Sequence, residues 1–213
     1  MFSSQQILLV VADDFNSSTA KLTCIEDNQL ICKDVKVNLG KNGLGWGIGL
    51  QEIPHAQNEP IKHEGDKRAP AGVFLLTESF GYAPQHQGKL PYLYADKNLI
   101  CVDDSHSPFY NQIIEANGNE KSFEHMRRKD GQYKIGVVVA HNTNATPDRG
   151  SCIFLHIQKA PHHPTVGCTS MQEKDLLKIV KWLNKQKNPL LIQIPKSYFH
   201  SVKLLYPQLK NVL

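Results

Sequence analysis

The chain has 213 residues, with 24 Lys and Arg against 20 Asp and Glu for a formal charge of +4. That length suits one substantial core, or two at most, and the basic residues are scattered rather than gathered in a block, which argues against nucleic acid as a partner. Five cysteines, Cys24, Cys32, Cys101, Cys152 and Cys168, form no CxxC pair, which speaks against a zinc ribbon or a thioredoxin-like motif, and their odd number leaves at least one thiol free.

The amino-terminal stretch has no basic flank, and its apolar run from Ile7 to Ala12 is too short for a secretion signal or a membrane span, so it reads as a first strand. Residues 6–12, 20–25 and 30–37 are rich in Ile, Leu, Val and Thr and are separated by Asp, Asn and Ser clusters, the pattern of a β-meander. Cys24 and Cys32 flank one of its turns and can face each other across a hairpin. Asn42 and Gly43 give a hairpin signal. The glycines of GLGWGIG are not followed by a helical pattern, so they read as a close backbone crossing inside a sheet rather than a dinucleotide cradle.

Further strands are expected at 73–77, 99–102, 133–141, 152–156 and 190–194, with residues 123–129 left without an assigned structure. Cys101 and Cys152 fall inside such strands and read as small core residues. Helical spacing appears only late. Leu176, Leu177, Val180 and Leu183 lie on one side and Lys174, Lys178, Lys181 and Lys185 on the other, predicting an amphipathic helix of about four turns. A short terminal helix is expected over 197–209. The sum is a mainly β chain, a sandwich or partly closed barrel, with one principal helix and a short carboxy-terminal one.

Function concentrates in residues 150–171, GSCIFLHIQKAPHHPTVGCTSM. Ser170 and Glu173 have the S-x-x-E form of a capping box, predicting Ser170 as a helix N-cap two residues after Cys168. There the helix dipole would favour a thiolate and free amides would serve a developing oxyanion. Gly167 permits close approach or an unusual φ beside the nucleophile. His156, twelve residues upstream at the end of a strand, is the base a thiol needs. With no acid between them, its tautomer would be fixed by a backbone carbonyl near Ile157. The alternative for Cys168 is a small buried core residue. A zinc site from His156, His162, His163 and Cys168 fits no familiar ligand spacing, so no metal is expected.

These residues resemble the YkuD-type L,D-transpeptidase catalytic domain, whose hallmark is a histidine followed after a loop by Ser-His-Gly-Cys. Here His156 and Thr165-Val-Gly-Cys168 occupy those places, as PTxGC in place of SHGC, and Ala69-Pro-Ala-Gly-Val-Phe74 resembles an upstream strand motif of the family. The resemblance runs over roughly 6–195. Val166 stands where the family has histidine, and Ser170 where it has Asn or Arg.

The resemblance implies a single catalytic domain over 1–213 with no cofactor, acting on peptidoglycan stem peptides in the periplasm or cell envelope. Cys168 would attack the carbonyl of the stem's diamino acid, with His156 moving the proton and Gly167 beside the nucleophile. His141, Arg127, Arg128, Thr165 and Ser170 are the residues expected to hold substrate. The alternative for Arg127 and Arg128 is an exposed salt-bridging pair, and for His141 a satisfied core histidine. Acyl transfer to an amine, hydrolysis by a carboxypeptidase or amidase, and a non-catalytic wall-binding module remain the three readings, and the oligomeric state is open.

Overall fold

The computed structural model describes residues 4–85 and 88–209. Its elements, in order, are β1 (Gln6–Ala12), β2 (Thr19–Glu26), β3 (Gln29–Asn38), β4 (Leu44–Trp46), β5 (Ala69–Gly81), β6 (Tyr92–Tyr94), β7 (Leu99–Val102), β8 (Ile113–Glu115), β9 (Phe123–His125), β10 (Ile135–Val139), β11 (Phe154–Ile157), β12 (Thr169–Met171), α1 (Glu173–Trp182), β13 (Leu190–Pro195) and α2 (Phe199–Leu205). The chain is therefore mainly β, as the patterning predicts.

Eight strands close on themselves in the order β10-β11-β12-β3-β2-β1-β13-β5, because β5 pairs back with β10; β4 and β6 extend the sheet from β5. The closure removes two exposed strand edges, and a register shift between Val137 and Val139 marks where the ring bends shut. β1 is apolar almost throughout because it is buried on both faces, with β13 parallel on one side and β2 antiparallel on the other. The interior is filled by side chains such as Leu8, Val10, Leu22 and Phe74. α1 turns Leu176, Ile179 and Val180 into this core and lies beside β10 and β11.

A separate three-stranded sheet, β8-β7-β9, stands beside the ring. A second apolar cluster includes Phe80, Met126, Tyr133, Phe154 and Cys168. Cys168, the expected nucleophile, is part of this cluster.

The structure corrects several sequence expectations. Residues 123–125 form β9, although nothing in FEHMRRK alternates. The Asn42-Gly43 turn forms, with the Gly43 N–H donating to the Gly40 carbonyl at 2.8 Å, but β4 pairs in parallel with β5 instead of returning along β3. Long-range partners capture it: the Leu44 N–H donates to the Phe15 carbonyl and the Ala69 N–H to the Gly43 carbonyl. At Gly49, a Cβ would lie 2.2 Å from the Val73 carbonyl oxygen, so this glycine marks a close backbone crossing, as expected.

Cys24 pairs with Cys32 across β2 and β3 in a disulfide. Cys101 and Cys152 are buried, but they are not simple core thiols: they are joined to each other, tying β7 to the segment ahead of β11. Cys152 lies outside the strand expected for it, at φ +54.

Candidate active site

With four cysteines bonded in pairs, Cys168 is the free thiol. Its surroundings follow from sheet register. β11 and β12 run parallel with Leu155 opposite Thr169 and His156 opposite Ser170. Side chains alternate along a strand, so Leu155 faces the interior while Phe154, His156, Cys168 and Ser170 share the other face. Cys168, one residue ahead of β12, and His156 are thus diagonal neighbours across the β11–β12 pair. Both line one cavity of ≈ 230 Å³.

The histidine is held in one tautomer. Its Nδ1 lies 2.9 Å from the Ile157 carbonyl oxygen, which can only accept, so the proton sits on Nδ1 and Nε2 is left as the basic nitrogen. The Tyr133 ring packs edge-on against it at 5.3 Å. Burial pushes the imidazole down to about 4, with the nearby Arg128 charge acting in the same direction and the Ile157 hydrogen bond opposing. The ring is therefore neutral at neutral pH.

Burial likewise pushes the Cys168 thiol up to about 12, and the Glu124 carboxylate adds to the rise. In this structure the thiol donates to the Cys152 carbonyl at 3.5 Å and accepts the Phe154 N–H at 3.3 Å. The Phe154 amide lowers the thiol pKa and would hold a thiolate as it forms. The pair rests as neutral thiol and neutral imidazole, an arrangement in which a thiolate would form only by proton transfer.

The helix cap expected at Ser170 is not there. Ser170 lies in β12 and is 1% exposed; α1 begins at Glu173 with Gln172 as N-cap, which makes no side-chain cap hydrogen bond. Residues 169–171 are instead held between β11 and β3, and ladder hydrogen bonds on two sides outweigh the one bond a cap would supply. The helix N-terminus falls four residues beyond Cys168, outside the range over which a dipole acts strongly. The thiolate expected to be favoured there is therefore not the resting form; the Phe154 amide lowers the thiol, but burial outweighs it.

Thr165 and Gly167 shape the turn. The Thr165 hydroxyl donates to the Cys168 carbonyl at 2.6 Å and accepts the Gly167 N–H at 3.1 Å. The Thr165 backbone is stitched to Leu39 and Lys41. Gly167 sits at φ +157, with the Arg68 carbonyl oxygen 3.4 Å from where a Cβ would lie. There is room for a methyl but not an easy backbone for it. Gly167→Ala should destabilise the fold by about 1–3 kcal/mol and slow acylation of Cys168; an unchanged melting temperature and acylation rate would remove the strain argument.

Of the residues expected to hold substrate, Arg128 lines the cavity, lying 5.1 Å over the Tyr133 ring and ion-paired with Asp130 at 2.6 Å. Thr165 and Ser170 line it too. Arg127 turns away, donating to the Ala95 carbonyl at 3.0 Å over the Tyr82 ring. His141 is 2% exposed, donates from Nε2 to the Arg149 carbonyl at 2.8 Å, and lines neither cavity beside Cys168. Neither matches its alternative in full: Arg127 is held by carbonyls and a ring rather than by a salt bridge, and His141, though buried, leaves its Nδ1 without a hydrogen-bond partner among the described residues.

Other neighbours were not singled out from sequence. The Tyr133 hydroxyl donates to Glu124 at 2.6 Å, and burial raises the Glu124 pKa. On the other side of the exposed Val166 a second cavity of ≈ 250 Å³ also reaches Cys168 and includes Lys62. Lys62 is 2% exposed and donates to Asp66 and to the His63 carbonyl, each at 2.6 Å. An acid four residues after the lysine, Asp66, is the one signal the sequence offers for it.

Comparison with known proteins gives three findings. A family profile described as the YkuD L,D-transpeptidase catalytic domain matches residues 14–192. No curated protein matches. Among solved structures, the chain is similar to the helical cell shape determining protein Pgp2 from Campylobacter jejuni, at 13% identity and a TM-score of 0.40, covering 90% of this chain and 48% of that one. A lysine-to-alanine mutant of Pgp2 gives the same score and identity, with 47% of its chain covered. The chain thus spans about half the length of the solved proteins it resembles.

Proposed function

The chain belongs to the L,D-transpeptidase catalytic domain family, and from that premise we propose that it is a cysteine-dependent acyltransferase acting on peptidoglycan stem peptides, with residues 1–213 serving as one catalytic domain. The observation that carries this reading is the pairing in one cavity of the free thiol, Cys168, with a histidine whose Nδ1 is tied to the Ile157 carbonyl.

Chemically, His156 Nε2 takes the thiol proton as sulfur attacks the carbonyl carbon of the diamino acid. A C–S bond forms, the amide C–N bond breaks, and the terminal D-alanine leaves with the proton returned by His156. An amine then attacks the thioester, its C–N bond forming as the C–S bond breaks. Water in place of the amine gives a carboxypeptidase. The two cavities flanking Val166 offer separate approaches for donor and acceptor. Two disulfides suit an oxidising compartment, in keeping with the periplasm or cell envelope. Among the described residues, no helix is long and apolar enough to cross a membrane.

The test is intact-mass spectrometry after exposure to a carbapenem, which presents a strained acyl group to a nucleophilic thiol. One adduct is expected on the wild type and none on Cys168→Ala; a wild type that stays unmodified would sink the proposal. D-Alanine release measured with and without an added amine then separates transfer from hydrolysis.

A further inference from the structure

Glu124 falls in the stretch FEHMRRK, and β9 forms there because β7 supplies a partner: Glu124 stands opposite Cys101, between Phe123 opposite Val102 and His125 opposite Ile100. Side chains alternate along a strand. Phe123 and His125 meet edge to ring at 5.2 Å on one face, which turns Glu124 to the other. There the Tyr133 hydroxyl donates to Glu124 Oε2 at 2.6 Å, and both groups act on Cys168, the carboxylate raising the thiol pKa and the hydroxyl lowering it. Carboxylate, hydroxyl and sulfur are therefore neighbours.

Position separates Glu124 from His156. Glu124, Val166 and Cys168 line both cavities that flank Val166, whereas His156 lines the one of ≈ 230 Å³ and not the one of ≈ 250 Å³. A molecule that reaches the sulfur through the second cavity meets Glu124 and not the imidazole.

That second cavity suits a cation. Glu64, Asp103 and Glu124 line it, and none of the three is in an ion pair among the described residues. Glu64 accepts from the Tyr110 and Ser151 hydroxyls, and Asp103 Oδ1 is buried with no hydrogen-bond partner among the described residues. Of the lysines there, Lys62 is engaged with Asp66 and the His63 carbonyl, and Lys67 is exposed. Arg128 acts on Glu124 from a pairing with Asp130. Burial, helped by the Asp103 and Glu64 charges, raises the Glu124 pKa against the Tyr133 hydrogen bond and the Arg128 charge, while burial pushes His156 down to about 4. Of two such groups, the one with the higher pKa is the stronger acceptor for an ammonium proton.

Resting on the acyl transfer proposed above, we propose that Glu124 is the general base of its second half, taking the proton from an ammonium acceptor that enters past Glu64 and Asp103. His156 serves the first half. One ammonium proton passes to the Glu124 carboxylate, and the freed nitrogen lone pair forms the C–N bond to the thioester carbon. The C–S bond breaks with its electron pair returning to sulfur, the second nitrogen proton restores the Cys168 thiol, and Glu124 sheds its proton to water.

The test is a competition on the intact protein. The donor is a stem tetrapeptide of L-alanine, D-glutamate, a diamino acid and D-alanine, and the acceptors, present together, are n-butylamine and hydroxylamine. At pH about 7.5 n-butylamine is an ammonium, as a lysine side chain of pKa about 10.4 would be, whereas hydroxylamine is already neutral. Both react with the same acyl-enzyme, so the ratio of their products by mass spectrometry is independent of how fast Cys168 is acylated. Glu124→Gln keeps an acceptor for the Tyr133 hydroxyl but cannot take a proton, and it should lower the butylamine-to-hydroxylamine ratio by about 100-fold. Glu124→Asp should hold the ratio to within about ten-fold of wild type, and Glu124→Ala should regain it when formate is added; these two decide the matter if glutamine perturbs the fold. A purely structural role for Glu124 would lower both products together. An unchanged ratio in Glu124→Gln, a ratio equally low in Glu124→Asp and in Glu124→Ala with formate, or a wild type that acylates yet only hydrolyses would overturn the assignment alone. A wild type that takes no carbapenem would overturn the proposed function and this assignment with it.

Discussion

Lowering the pH from about 7.5 to about 4.5 should cost the fold about 5 kcal/mol through two histidines alone. His141 and His156 are both buried and both pushed by that burial from 6.5 down to about 4. Between those values the unfolded chain binds protons that the folded chain refuses. Stability is thus fully present above about pH 6.5 and is lost as pH falls toward 4. Set against a typical net stability of about 5–15 kcal/mol, the effect is large.

Urea midpoints measured at several pH values would show it as a steep decline through this window. His141→Gln keeps an amide donor for the Arg149 carbonyl but cannot titrate, so it should flatten the decline by about half. A midpoint that does not move between neutral pH and about 4.5 would show that the two rings are not held neutral by burial.

Removing the Cys101–Cys152 disulfide should destabilise the protein by about 4 kcal/mol, because it closes a loop with a sequence separation of 51. The Cys24–Cys32 bridge, with a separation of 8, should be worth only about 2.5 kcal/mol on the same chain-entropy reasoning. The longer bridge also borders the site proposed for the chemistry. The Cys152 carbonyl accepts the Cys168 thiol, and the Cys152 N–H donates to Asn111 at 2.9 Å, so the bridge fixes the segment that aims the sulfur.

Cys101→Ala/Cys152→Ala should therefore melt on the order of 10 °C lower and be acylated more slowly, whereas Cys24→Ala/Cys32→Ala should keep its acylation rate. Equal losses of stability and rate in the two double variants would refute this account.

Most of the strands were legible because their apolar residues cluster between turn-forming ones, and β1, β2, β3, β7 and β13 fall where that pattern puts them. The short strands β6, β8 and β9 were not. Three residues carry too little alternation to register, and they exist because a neighbouring strand offers them partners. Ser170 shows the same competition at the site: locally it has the signature of a cap, but β3 and β11 claim it.

By itself the sequence singled out Cys168 and His156 as candidate nucleophile and base, from a histidine ending a strand and a Gly-Cys pair after the loop that follows; its odd cysteine count says that a thiol is free but not which one. It also anticipated the Ile157 carbonyl as the group that fixes the tautomer, because no acid stands between His156 and Cys168 and a backbone acceptor is always at hand. What tertiary structure alone decided is which cysteines pair, which arginine faces the cavity, and which backbone groups meet the Cys168 sulfur. Those depend on contacts between residues tens of positions apart: Cys101 with Cys152, Arg127 with Ala95, and Cys168 with the Phe154 amide. Local propensity carries no information about such pairings, because the free energy that fixes them comes from burial and register around the closed ring.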